Sequence, residues 1–369
     1  MNFDELRVRA ADALDEVDGF AEAWMRETFL KVPRHAFVSD TVWVWRNGAY
    51  RPLSAVEEPD EWAALVHDPL TPVVTQVDDG KAEAEGTLPT SSISAPNAVF
   101  TMLAAADIRP GMKVLEIGTG TGYNAALLCE RAGEANVTSV EVDTALAEAA
   151  ARRLAHAGYR PRVVAADGEC GWPADAPYDR VLCTASLQRV PFAWAKQTRP
   201  GGLIVTPWKT TLQPHGMACL RVADDGASAS GHFGYPMSFM DLRGQRRPDS
   251  PLEDVYTPAS WEESRDSRTD LDLSFLETGF HAFFALGLRL PGVHWDSDGW
   301  LATTDSWAYV RDGAVHQWGP RDLFTELERA YRWWREAGSP ELYDFGLTVT
   351  TDGQTLWLGA PDSGRSWDL

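Results

Sequence analysis

The chain has 369 residues, 44% hydrophobic and 24% charged, enough for about two or three globular domains. No stretch approaches the ~18–20 consecutive apolar residues of a membrane span, which excludes a helical integral membrane protein. The balance of 54 acidic against 33 basic residues gives a net charge of −21. Such a surface repels a phosphate backbone, so nucleic acid is not an expected partner, whereas a basic peptide segment would be attracted. Cys129, Cys170, Cys183 and Cys219 are spread without a CxxC pair, so neither a zinc site nor a disulfide framework is expected, and a cytoplasmic location fits. The first twenty residues are acidic and amphipathic, without the basic-then-apolar pattern of a secretory signal.

Residues 1–90 open with Leu6, Ala10, Leu14 and Phe20, then Ala21, Trp24 and Phe29, at helical spacing that Pro33 should end. Residues 57–85 carry nine acids against the single base Lys81 and read as a solvated loop, with a lid or docking strip as the alternative. From 91 to 208, strand-like segments (Lys113–Ile117, Val137–Glu141, Arg162–Ala165, Arg180–Thr184, Gly202–Pro207) alternate with helical ones (Tyr123–Arg131, Ala145–Ala157, Phe192–Thr198). Five such repeats predict a parallel sheet in a three-layer α/β sandwich. Residues 209–369 change character. They hold nine of the 16 tryptophans, two expected hairpins at Arg311-Asp312-Gly313 and Thr351-Asp352-Gly353, and a helix presenting Leu323, Leu327, Ala330, Tyr331 and Trp334 on one face. The expected division is a helical N-terminal extension (1–90), an α/β core (91–208) and an α+β C-terminal extension (209–369).

The strongest motif is Val114-Leu115-Glu116-Ile117-Gly118-Thr119-Gly120-Thr121-Gly122, followed by a helix opening at Tyr123. Glycines allow a sharp turn and close ligand approach, and the helix start offers free N–H groups. The spacing differs from the dinucleotide GxGxxG, and Glu116 stands two residues before the first glycine, a combination typical of adenosylmethionine-dependent methyltransferases. Glu141 ends the second strand, where a carboxylate can accept from ribose hydroxyls, and Ala166-Asp167-Gly168 follows the third, placing an acid near an adenine amino group. Thr184-Ala185-Ser186 follows the fourth, where cofactor and substrate should approach; the same triplet can serve as a strand-to-helix turn.

In six ordered motifs the chain resembles protein-L-isoaspartate O-methyltransferases over about residues 1–208. These are Val32-Pro33-Arg34-His35-Ala36-Phe37-Val38, Ser92-Ile93-Ser94-Ala95-Pro96, Val114 to Tyr123, Ala166-Asp167-Gly168, Ala176-Pro177-Tyr178-Asp179 and Arg199-Pro200-Gly201-Gly202. The resemblance implies a Rossmann-like methyltransferase fold, S-adenosylmethionine as cofactor with S-adenosylhomocysteine as product, and no metal. It makes Ser94 the active-site serine, with Ser92 as a lesser candidate. It places Glu116, Gly118, Thr119, Gly120, Gly122, Tyr123, Glu141, Asp167, Gly168 and Thr184 at the cofactor, and His35, Asn97 and Ser186 toward the substrate. Three features depart from the family pattern. Asn97 stands where histidine usually follows the Ser-Ala-Pro, the segment before the serine is lengthened at Asp78–Glu85, and the tail is long. Such a tail resembles peptide-modifying relatives found beside graspetide, lanthipeptide and lasso-peptide biosynthesis.

A carboxylate is ionised at neutral pH, so its methylation needs no strong base. It needs one oxygen held in line with the sulfonium methyl at about 3 Å, with water excluded. Ser94 can aim that oxygen by hydrogen bonding; it can equally be the N-cap of a helix over Asn97–Ala105. His35, in an apolar setting, can hold a peptide or simply pack. Three functions are therefore weighed: methylation of an aspartate in a ribosomally made peptide, whose ester cyclises to aspartimide, which can open to isoaspartate; repair of isoaspartyl damage in many proteins; and an inactive peptide-binding scaffold. The acceptor is expected to be a constrained peptide, the protein a monomer or homodimer. The tail is expected to recognise substrate through its aromatics, without helping to build the cofactor or acceptor site.

Overall fold

A computed structural model describes residues 2–212, 215–246, 251–275, 279–296 and 298–369. The central sheet has ten strands. Its parallel half consists of β5 (Val114–Ile117), β6 (Val137–Glu141), β7 (Arg162–Ala165), β8 (Tyr178–Cys183) and β9 (Thr198–Lys209), ordered β9-β8-β5-β6-β7. These are the five strands expected from the alternating pattern. Every residue of β5 is buried, as befits a parallel strand covered on both faces. Helices α4 (Pro96–Ala106), α5 (Tyr123–Ala132) and α6 (Thr144–His156) cover one face, and α7 (Phe192–Gln197) covers the other. The three layers are those of the expected α/β sandwich.

The N-terminal region is more structured than its composition suggests. Two helices, α1 (Phe3–Asp15) and α2 (Ala23–Lys31), replace one continuous pattern, broken where Asp18 takes a positive φ of 52°. They pack Leu14, Met25 and Phe29 against Phe100 and Leu127 of the core. A four-stranded antiparallel sheet follows, β2-β1-β3-β4, built from β1 (Thr41–Arg46), β2 (Ala49–Ser54), β3 (Val73–Val77) and β4 (Pro89–Ile93). The β1–β2 turn is Asn47-Gly48, both at positive φ, the pair that a two-residue hairpin favours. That signal was present in the sequence and is absent from the expectation above.

The acidic 57–85 segment is a correction. It contains helix α3 (Pro59–His67) and strand β3 rather than a loop. Pro59 occupies the first turn with Asp60 and Glu61, favourable at the positive end of a helix dipole, while Trp62, Ala63 and Val66 are buried beneath. The acids line the solvent side and mask that apolar face.

The sheet does not stop at residue 208. Strand β10 (His215–Val222) pairs antiparallel with β9 through seven registered positions, and β11 (Ala229–Pro236) pairs with β10. Three more strands, β17 (Phe345–Val349), β18 (Gln354–Leu358) and β19 (Ser366–Asp368), complete the ten. Both expected hairpins form. Between these additions lies a separate five-stranded antiparallel sheet built from β12 (Arg265–Arg268), β13 (His294–Asp296), β14 (Trp300–Ala302), β15 (Trp307–Arg311) and β16 (Ala314–Trp318), ordered β12-β16-β15-β14-β13. The helix Leu323–Glu336 lays Leu323, Phe324, Leu327 and Ala330 on it. No helix among the described residues is long and apolar enough to cross a membrane.

Trp208, Ile204 and Ala218 share one buried cluster with Phe233, Phe284, Phe345 and Leu347. Cutting the chain after Trp208 would expose this cluster and the long β9 edge. Such a truncated chain is expected to aggregate or to lose its cooperative thermal transition, as circular-dichroism melting will report. A cooperative melt of residues 1–208 would show that the two halves of the sheet fold independently.

Candidate active site

A cavity of about 660 Å³ opens at the carboxyl ends of the parallel strands, within the range of small-molecule sites. One side is the turn from β5 into α5. Gly118 has φ 91°, and a Cβ there would stand 3.1 Å from Thr184 Oγ1, whose hydroxyl donates to the Gly118 carbonyl at 2.8 Å. Glu141, 7% exposed at the end of β6, accepts from the Gly120 amide at 2.9 Å and the Asp143 amide at 3.1 Å. Its carboxylate therefore holds the loop and faces the cavity together. Gly118, Thr119, Gly120, Tyr123, Glu141, Gly168 and Thr184 all line this space.

The opposite side carries Ser91, Ser92 and Ser94 from β4 and its exit, with Asn97 on α4. Helix α4 is capped by Ala95, without a side-chain cap, and begins at Pro96. The N-cap alternative for Ser94 is thereby corrected. Asn97 Oδ1 is buried and unpartnered among the described residues, as are Tyr123 OH and Asn124 Oδ1. A cavity lined by glycines, an acceptor carboxylate and unsatisfied polar atoms fits a nucleoside-bearing ligand.

The placement of the serines depends on a residue the sequence reading passed over. Arg34 is 4% exposed, and its guanidinium donates to the carbonyls of Val66, Asp68, Thr71, Ile93 and Ser94 at 2.6 to 3.3 Å. Burial pulls its pKa down to about 10, which leaves it charged at neutral pH. It ties the end of α3, the following loop and the exit of β4 into one unit.

Five expected site residues lie elsewhere. Glu116 is fully buried under the loop, accepting from Asn124 at 2.7 Å and from Ser139, and lies outside the cavity lining. Gly122 faces Leu154 and Ala150 of α6. Asp167 is exposed and accepts from the Glu169 amide, while its neighbour Gly168 reaches the cavity. His35 packs on Phe3 and His67, 3.3 Å from the latter's ring nitrogen, away from the site; burial and then His67 depress its pKa. Ser186 is fully buried against His215 at 2.9 Å and accepts from the Phe239 amide. Burial, then Lys209, pushes His215 down to about 3, so this pair is a neutral internal clasp.

That clasp holds the largest surprise. Tyr235 to Arg243, and Arg246, form a strap across the cavity, so the C-terminal region helps to build the site it was expected only to serve. The tryptophans do not line this cavity; Trp261 instead stacks on Trp307, with rings 5.7 Å apart and 8° from parallel.

A glycine turn after β5 and a cavity-facing carboxylate at the end of β6, on the five parallel strands of the sheet, are the marks of the S-adenosylmethionine-dependent methyltransferase class. The family Protein-L-isoaspartate(D-aspartate) O-methyltransferase matches residues 81–229. The chain is 34% identical over 228 residues to the protein-L-isoaspartate O-methyltransferase of Pyrococcus horikoshii, covering 60% of this chain and 85% of that one. Identity to the Thermococcus onnurineus enzyme of that name is 37% over 229 residues, 60% and 86% of the two chains. With the Ignicoccus hospitalis relative it is 47% over 118 residues, 31% of this chain and 56% of that one. A solved structure titled protein-L-isoaspartate O-methyltransferase superposes over 96% of this chain and 100% of its own, with TM-score 0.54 and 20% identity. The chain belongs to the protein-L-isoaspartate O-methyltransferase family and is an S-adenosylmethionine-dependent carboxyl O-methyltransferase.

Replacing Glu141 by Ala is expected to weaken S-adenosylhomocysteine binding about tenfold or more in a folded protein, since hydrogen bonds to a charged group are lost. Isothermal calorimetry checks this. Glu116 gives a pH prediction. Burial lifts its pKa from the ordinary 4.5 to about 7, against the pull of its bonds from Ser139 and Asn124. A raised carboxyl pKa means that ionisation opposes folding, so stability falls as pH climbs through this interval, by about 3 kcal/mol in full. Glu116→Gln should therefore melt higher than the native chain near about pH 8, and the difference should shrink near about pH 5.

Proposed function

We propose that this protein methylates the free α-carboxylate of isoaspartyl residues in protein or peptide chains. The observation that carries this is the shared cavity, with Gly118, Gly120 and Glu141 on one side and Ser92, Ser94 and Asn97 on the other. Bound S-adenosylmethionine would supply an electrophilic methyl group, which a carboxylate oxygen takes as the carbon–sulfur bond breaks. No proton need move, so the residues orient and exclude water rather than act as acid and base. Gly118, Gly120 and Glu141 would hold the nucleoside. Ser94 would donate to the acceptor carboxylate and aim its reactive oxygen. Asn97 Oδ1 would accept an N–H from the peptide backbone beside it. The names and extents of the matching relatives support the isoaspartyl acceptor.

A second reading, an L-aspartate within one ribosomally made peptide leading to aspartimide, is favoured by two features of this chain. A strap from the long C-terminal region walls the cavity, and Asn97 replaces the histidine expected there.

Matched peptides differing only in Asp or isoAsp, incubated with S-adenosylmethionine and read by mass spectrometry, separate the two acceptors. Esterification of isoAsp alone supports repair; esterification or dehydration of Asp alone supports peptide maturation. Ser94→Ala is expected to lower kcat roughly 10- to 100-fold with S-adenosylhomocysteine affinity unchanged, the loss of one hydrogen bond to a charged acceptor. Unchanged turnover would remove Ser94 from the reaction.

A further inference from the structure

The strap carries Arg243, which lies outside the stretch matched by the family and touches both sides of the cavity. Its Nη1 stands 3.2 Å from Asp143 Oδ2, on the turn after β6. Its Nε stands 3.4 Å from Asp79 Oδ1, and its Nη2 donates to Gln76 Oε1 at 3.4 Å, both at the β3–β4 end of the N-terminal sheet. Gln76 closes the circuit by donating to Asp143 at 3.1 Å and accepting from Thr90, on the strand that leads to Ser92 and Ser94. Arg246 adds a second cation, 3.2 Å from Asp79.

Asp143 is the relay. Its Oδ1 caps α6 by accepting from the Ala145 and Leu146 amides. Its own amide donates to Glu141 Oε1, and Glu141 Oε2 accepts from Gly120. A continuous line of hydrogen bonds thus runs from Arg243 through Asp143 and Glu141 to the glycine loop.

We propose that Arg243 is a positioning residue for the methyl donor, acting through Asp143 to hold Glu141 and the glycine loop in the geometry that binds the nucleoside. The physical requirement is electrostatic. Asp143 and Asp79 face the same guanidinium with side chains only 13% and 32% exposed; Asp79 also has Arg246, so removing Arg243 leaves Asp143 as the partly desolvated carboxylate that loses its cation. Its rearrangement toward water would move the β6–α6 turn, and Glu141 with it. The lengthened Asp78–Glu85 segment supplies Asp79 and the C-terminal region supplies Arg243, so two of the three departures from the family pattern meet each other over the cavity.

The proposal rests on Glu141 as a nucleoside-binding carboxylate, and the test separates the two. In the full chain, Arg243→Gln should weaken S-adenosylhomocysteine binding by calorimetry about tenfold, the scale of one charged hydrogen bond. KM for S-adenosylmethionine should rise with kcat nearly constant. Arg243→Lys should recover part of the affinity. Adding Asp143→Asn to Arg243→Gln should cost little more than either alone, because both break one link. Gln245→Ala loosens the strap at Glu169 without touching Asp143 and should leave affinity unchanged. If Arg243→Gln does not fold, Asp143→Asn reads the same link from its other end. Unchanged affinity in Arg243→Gln with Glu141→Ala impaired overturns the proposal alone, as does an equal loss in Gln245→Ala or full additivity of the pair. Unchanged affinity in both Arg243→Gln and Glu141→Ala overturns the nucleoside site itself.

Discussion

The buried guanidinium of Arg34 is the constraint on which the acceptor side depends. A charge held away from water is costly unless its donors are satisfied. Here five carbonyls from three chain segments, including that of Ser94, satisfy its Nη1 and Nη2, while Nε has no partner among the described residues. Val66 lies in the last turn of α3 and Ile93 ends β4, while Asp68, Thr71 and Ser94 lie in the connecting loops, so one common donor places these segments together. The serine-bearing exit of β4 is consequently held in place without a side-chain cap on α4. Arg34 lies one residue from His35, which chemical type alone would favour as a functional group, and the work of the motif falls to its neighbour.

The donor side obeys a different logic. Glu141 and the glycine loop belong to consecutive β/α units, and their contact follows from the parallel pairing of β5 with β6 in register from Val114↔Val137 to Ile117↔Val140. Once those strands pair, the Gly120 amide and the Glu141 carboxylate are neighbours. Glu116, though part of the same motif, points the other way and supports the loop from below through Asn124 and Ser139. The motif thus divides into residues that face the cavity and residues that hold those in place.

The C-terminal region belongs to the same folded body. Half of the central sheet and one wall of the cavity come from residues beyond 208, clasped by the neutral Ser186–His215 pair and by Lys209–Asp241. Its aromatic wealth is spent largely on internal packing, in the Trp261–Trp307 stack and the edge contacts of Tyr256 with Trp300. The wall this region lends to the cavity is the strap, which carries none of these tryptophans.

Local information was sufficient for the parallel strands, their helices, both C-terminal hairpins and the cavity-lining positions of Gly118, Gly120, Glu141 and Thr184, because periodicity and glycine turns are properties of neighbouring residues. The Asn47-Gly48 hairpin was equally legible, whereas α3 was hidden by the acids on its outer face. Local information could not separate Glu116 from Glu141, or Arg34 from His35, because burial and direction are set by what packs across the space between elements. Nor could it place Arg243, about a hundred residues from Asp143 in sequence and 3.2 Å from it in space. Sequence spacing determines which residues share a strand end or a helix face; only the closing of the strap over the cavity determines which of them meet a ligand, since that contact joins chain segments with no local relation.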